Sequence, residues 1–220
     1  MKEKSRKCLH LKSRGDWSYV WGPLQDRRNI SDELANKYKS DFIHAVELAH
    51  TVFGDKAFRR YSEGTARNPS GNWERAVNKA VFDALMFWFA RHEKRQIIEC
   101  KDAIRERFIT LCVEDREFAD SITLGTADPA RVRTRFKKWE EALKEVITTP
   151  ANERRAFSLE EKRRLFEANQ TCAVCGQRIE SVDDAEVDHQ TPYAAGGPTN
   201  LSNAQLTHRF CNRSKGAKNT

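Results

Sequence analysis

Cys172 and Cys175 are separated by two residues in "TCAVCGQ", with Gly176 directly behind them, and His208 and Cys211 repeat the spacing in "THRFCN". Each pair can hold one ion from a single turn of chain. Together they offer the four soft nitrogen and sulfur ligands of a closed tetrahedral Zn2+ site. A lone Cys-x2-Cys would also suit redox chemistry. Two matched pairs within a segment of about sixty-five residues favour a structural metal, because so short a segment cannot be held by its own core. The pairs lie too far apart for a C2H2 finger, and the His-x-Glu and Pro-Cys-x-x-Cys pieces of a zinc deaminase are missing. A phosphate contact is the alternative role for His208, and it would leave the metal set incomplete. Between the pairs runs "EVDHQTPYAAGG" (186–197), which begins like a strand, ends in a glycine loop and carries Asp188 and His189 where the two meet. That stretch is either an ordinary hairpin or the working edge of a metal-dependent active site.

The surrounding residues favour the second. Asp188–His189, Pro192, Gly196–Gly197, Asn203, Asn212 and Lys215 form the series "VDHQTPYAAGGPTNLSNAQLTHRFCNRSKG". Over about residues 165–218 it resembles the HNH endonuclease motif, the ββα-metal fold, including the spacing from the double glycine to Asn203 and on to the second metal pair. The resemblance implies hydrolysis of DNA phosphodiester bonds to 5′-phosphate and 3′-hydroxyl ends. Such a reaction needs an activated water in line with the leaving oxygen and a cation to absorb charge on the phosphate. His189, with an imidazole that ordinarily titrates near neutrality, suits the general base. Asp188 and the amide oxygen of Asn212 suit a hard ion, Mg2+ or Mn2+. By resemblance, Asn203 fixes the loop carrying His189. Side chains alternate along a strand, so Asp188 and His189 point to opposite faces unless the strand ends or bends there. That distortion is expected in the loop with Pro192 and the glycines. Arg213 and Lys215 are candidates to hold phosphate or are solvated surface bases, and Tyr193 is expected to pack. Two positions depart from the family pattern: Asn212 stands where a His is usual, and His208 where a Cys usually completes the zinc set.

These residues need elements to position them. Residues 31–53 read as a helix with Ser31 as N-cap and Phe42, Val46 and Ala49 at helical spacing. A loop over 62–72 precedes a long, largely apolar helix over 72–93, expected in the centre of a bundle. A third helix covers 94–114, with Ile97, Ile98, Ile104, Phe108 and Leu111 inward. Asp128–Pro129 starts a fourth. "TTPANERR" (148–155) reads as a linker, and Ser158 with Glu161 forms a capping box opening a short helix. The expected architecture is a mainly α N-terminal helical domain (1–150) followed by a small α+β, zinc-containing ββα-metal domain (151–220).

The whole chain of 220 residues carries a formal charge of +7. Residues 1–150 hold 29 Lys and Arg against 23 Asp and Glu, and the first fourteen residues alone hold six bases and one acid. Such a tail suits nucleic acid or an anionic surface, or is simply solvated. No secretory apolar segment follows it, and the most apolar run, "AVFDALMFWFA" (80–90), contains Asp83 and is too short to span a bilayer. A soluble, cytoplasmic protein with no membrane partner is expected. Cys8, Cys100 and Cys112 lie in helical patterns and read as small apolar residues.

The helical stretches around 53–90 and 118–136 resemble the helical region that follows a ParB/sulfiredoxin-like NTPase domain in bacterial restriction and anti-phage defence proteins. That NTPase domain is not in this sequence, so any NTP dependence would come through a separate activator or NTPase partner. Trp17, Trp21 and Trp73 could stack on bases, although core packing is the commoner fate of tryptophan. The expected function is thus a metal-dependent DNA endonuclease. The competing reading is a nucleic-acid-binding or scaffolding subunit with a catalytically silent fold of the same kind, which would bind DNA in EDTA and never cut it.

Overall fold

A computed structural model of the chain describes residues 31–148 and 157–216 and divides into two compact units, Met1–Ser40 and Asp41–Thr220. The basic tail, Trp17, Trp21 and most of the expected linker lie outside the described residues. Ser31 accepts the N–H of Leu34 at 3.3 Å and opens helix α1 (Asp32–Phe53). Its inner face starts later than the spacing predicts. Ala45, Leu48, Ala49, Val52 and Phe53 are buried, whereas Phe42 is 53% exposed.

The second unit is mostly helical. A two-residue hairpin, β1 (Tyr61–Ser62) and β2 (Asn72–Trp73), pairs antiparallel and leads into helix α2 (Lys79–Phe89). The sequence predicts one helix over 72–93, and the structure corrects this. Asn72 and Trp73 are taken by the ladder, and the Asn78 side chain accepts the N–H groups of Ala80 and Val81, which caps the helix there. Helix α3 (Lys94–Glu114) has the expected bounds; Ile97, Ile104, Phe108 and Leu111 are buried, but Ile98 is 41% exposed. A short helix the sequence reading missed, α4 (Arg116–Thr123), is capped by Asp115, which accepts the N–H of Phe118 at 2.9 Å. Helix α5 (Pro129–Thr148) starts where Asp128 accepts from Ala130 and Arg131.

The core of these helices is aromatic. Phe108 meets Phe53, Phe118 and Trp139 edge-on, and stacks on Trp73 with centroids 6.1 Å apart. Trp73 is therefore a packing residue, not a free platform for bases. Cys112 is buried among them, and burial pushes its thiol up to about 12, as befits an inert apolar residue.

Helix α6 (Leu159–Ala168) opens with the expected capping box between Ser158 and Glu161. Strands β3 (Ala185–His189) and β4 (Ala204–His208) then pair antiparallel from Ala185↔His208 to His189↔Ala204, and helix α7 (Arg209–Lys215) follows directly. The apolar cluster here is small: Cys172, Ile179, Ala185, Leu206 and Cys211, with Leu165, Phe166, Val187 and Phe210 around it. Among the described residues no helix is long and apolar enough to cross a membrane.

Candidate metal centre and hairpin site

The two cysteine-bearing segments meet. One ligand atom from each of Cys172, Cys175, His208 and Cys211 lies within 4.8 Å of the others. The approach of Cys172–Cys175 is a tight knuckle: the N–H of Gly176 bonds the Cys172 carbonyl at 2.9 Å, and Gly176 takes a φ of 71°. β4 delivers His208 at its last residue, and the first turn of α7 delivers Cys211. His208 is fully buried, its Nδ1 3.4 Å from Cys175 Sγ and 3.8 Å from Cys211 Sγ. A tetrahedral ZnS3N site implies edges of about 3.6–3.8 Å. The Arg178 carbonyl 3.2 Å from His208 Nε2 can only accept, so Nε2 carries the proton and Nδ1 keeps its lone pair for a metal. Burial raises the Cys172 thiol, but N–H groups of Cys175, His208 and Val174 outweigh it and hold it at about 7. Burial and the neighbouring cysteines push Cys211 up. Three sulfurs crowded this closely suit a soft dication, and the donor set fits Zn2+. The buried position of His208 inside this set leaves no room for the alternative of a phosphate contact.

The other residues are arranged by the hairpin. Its ladder is regular through His189, so the side chains diverge there as alternation requires. Asp188 turns toward α7. Its Oδ2 accepts from Lys215 Nζ at 3.1 Å and Gln205 Nε2 at 3.0 Å, and its Oδ1 from the His189 N–H at 2.8 Å. His189 turns the other way, with Nε2 2.9 Å from Thr199 Oγ1 and its ring 4.7 Å from Phe157 and 6.1 Å from Tyr193. Tyr193 is exposed, not packed away.

Asn203 is buried behind this turn. Its Oδ1 accepts the N–H of Thr191 at 2.8 Å, and its Nδ2 donates to the carbonyls of Thr191 at 3.0 Å and Pro198 at 2.9 Å. One side chain thus closes the loop at both ends. Gly197 is obligatory inside it, since a Cβ there would sit 1.9 Å from the Thr191 carbonyl oxygen. Gly196 ends the enclosed 3-10 turn with a φ of 85°.

Asn212 and Lys215, three residues apart on α7, face the hairpin together. Asn212 makes no hydrogen bond to Asp188; its Nδ2 donates to Glu186 Oε2 at 3.0 Å. Glu186 was not among the expected site residues. Only its place two residues before Asp188, hence on the same face of β3, could have marked it. Nothing in the sequence marks Thr199. Arg213 is tied to Glu63 at 2.5 Å and Glu114 at 3.0 Å, and Lys215 is largely buried against Asp188. The Lys215 ammonium sits on Asp188 Oδ2. The atoms that Asp188, Glu186 and Asn212 can offer an ion on this face are oxygens. Such a set fits a hard divalent ion.

The helices reach this site through buried charge. Glu106 of α3 pairs with Lys162 of α6 at 2.8 Å and with Arg209 of α7, whose Nε donates to the Asp183 carbonyl at 2.5 Å. Asp183 also accepts from Arg105 and from Trp73 Nε1 at 2.8 Å, and Tyr61 donates to Asp184 at 3.0 Å. Asp184 stands 4.0 Å from His208 Nε2, on the far side of the ring from the sulfurs.

Comparison with curated proteins and with solved structures returned no match. The family comparison covers only the C-terminal part, and the resemblance of the helical part to restriction and defence proteins finds no support in it. Residues 172–218, the segment that holds the four-ligand cluster, the hairpin and α7, match the HNH endonuclease family.

Proposed function

We propose that residues 151–220 are the nuclease module of a metal-dependent DNA endonuclease, working in the cytoplasm in restriction or defence against foreign DNA, with residues 1–150 as its helical domain. In this reading His189 takes the proton of the attacking water, and Asp188 and Asn212 are the oxygen ligands of one Mg2+ or Mn2+. That ion, when bound, offsets charge developing on the phosphate. Asn203 keeps the turn behind His189 rigid, so the imidazole is presented from a fixed backbone. Lys215 adds positive charge on the Asp188 face, whereas Arg213 is engaged by Glu63 and Glu114. Zn2+ on Cys172, Cys175, His208 and Cys211 folds the hairpin and takes no part in the chemistry.

The observation that carries this reading is the Asn203 clamp. Three hydrogen bonds from one buried side chain fix the loop between His189 and Gly197. A zinc-binding module needs its four ligands and has no use for such a clamp. The binding-subunit reading rests on one specific feature, the Lys215 ammonium seated on Asp188.

The test is end-labelled duplex DNA with the zinc-loaded chain in Mg2+, in Mn2+ and in EDTA. Cutting in either ion but not in EDTA, to ends that a ligase rejoins, is expected, with a loss of about 100-fold or more in Asp188→Ala. Binding in EDTA with no cutting in either ion would contradict the proposal.

A further inference from the structure

A carboxylate only accepts hydrogen bonds, so the amide of Asn212 can face Glu186 only with its NH2 group. The 3.0 Å contact from Asn212 Nδ2 to Glu186 Oε2 thereby turns Asn212 Oδ1 away from Glu186. A side-chain amide offers a metal its oxygen and never its nitrogen, so which way this amide is turned decides whether Asn212 can be a ligand at all. The other oxygen of Glu186 faces two guanidinium groups. Arg209 Nη1 lies 3.5 Å and Arg213 Nη2 3.6 Å from Oε1. Those arginines are held in turn by acids of the helical part: Arg209 by Glu106, and Arg213 by Glu63 and Glu114.

We propose that Glu186 is a positioning residue that sets the Asn212 amide with its oxygen toward the divalent ion. Through Glu106, Glu63 and Glu114, the helical part holds Glu186 in place. The inference rests on the reading of Asp188 and Asn212 as ion ligands, and it gives the helices a part in the site that docking DNA would not require.

Glu186→Gln is the discriminating change because it keeps the shape. Its carbonyl stays with the two guanidinium groups, the stronger donors. Its NH2 then faces Asn212, which must reverse and lose its oxygen from the ion. Asn212→Asp in the same chain repairs this, since a carboxylate accepts from Gln on one oxygen and offers the other to the ion.

The experiment is Mn2+ binding by titration calorimetry to the zinc-loaded full chain, for wild type, Asp188→Ala, Glu186→Gln and Glu186→Gln/Asn212→Asp. Zinc content and thermal midpoint serve to check that each is folded. Outer-shell partners of metal ligands typically contribute about 10–100-fold in affinity. Asp188→Ala should abolish binding, Glu186→Gln should weaken it at least about tenfold, and the double variant should return to within about threefold of wild type. Wild-type affinity in Glu186→Gln would overturn the positioning role and leave the ion site standing. Weakening that the double variant does not repair would also overturn it. Unchanged binding in Asp188→Ala would remove the ion site, and this inference with it.

Discussion

The helices and the hairpin module are held by opposite means. The helical region buries a continuous apolar core built around Phe53, Phe108, Phe118 and Trp139, all almost fully inaccessible. The module has five buried residues in its cluster, two of them candidate zinc ligands, and relies on the four-ligand centre, the Asn203 clamp and charge pairs. Burial tolerates variation in side-chain detail, whereas a ligand set or a clamp demands particular atoms. The residues able to do chemistry therefore sit where structure is specified by polar contacts. The module cannot stand on its own core and leans on the helices through Glu106, Asp183 and Asp184.

Removing zinc should break this contrast most visibly. In Cys175→Ser, or with a strong chelator, residues 171–215 should lose amide protection while α3 and α5 keep theirs, because metal binding is the folding free energy of so small a unit. Uniform loss across both regions would show that they do not differ as described. Trp139→Ala should cost about 4 kcal/mol in urea unfolding, the range for a fully buried aromatic. A smaller loss, about 3 kcal/mol, is expected for Glu106→Ala, which strands Lys162 in the interior and leaves Arg209 with only the Asp183 carbonyl and Glu186. The same pair makes the junction acid-sensitive. Burial alone would raise the Glu106 carboxyl, but Arg209 and Lys162 hold it below its ordinary 4.5. Asp183 is similarly held low by Arg105 against its own burial. A carboxylate depressed in the fold stabilises it fully above its unfolded value and loses that contribution as pH falls through the folded one. Stability should thus decline as pH drops below about 4.5, less steeply in Glu106→Ala, as followed by thermal melts across pH. The smallest effect is expected at Ser158→Ala, about 1 kcal/mol from one lost cap.

What could be read in advance follows the same division. The candidate zinc-binding group was legible because each pair is local and its spacing is chemical. Helix α3 was legible from twenty-one residues of periodic pattern. The start of α2 was not, because Asn72 and Trp73 answer to Tyr61 and Ser62, and strands of two residues leave no alternation to see. Helix α4 is only eight residues long and announced itself by nothing but Asp115. Phe42 matched the spacing of its helix yet lies outward. In the site, Asp188, His189, Asn203 and Asn212 came from a many-point motif. Glu186 contacts Asn212, 26 residues along the chain, and Thr199 contacts His189, ten residues back; the pairing of Arg209 with Glu106, 103 residues away, has no local signature.

The most direct measurement is cleavage of supercoiled plasmid in Mg2+ and Mn2+ by the wild-type chain beside His189→Ala, both zinc-loaded. The wild type should convert the plasmid to nicked or linear form, and the variant, equally folded, should be slower by about 100-fold or more. Equal cutting by both, or none by either, would contradict the assignment of His189 as the base of a working nuclease.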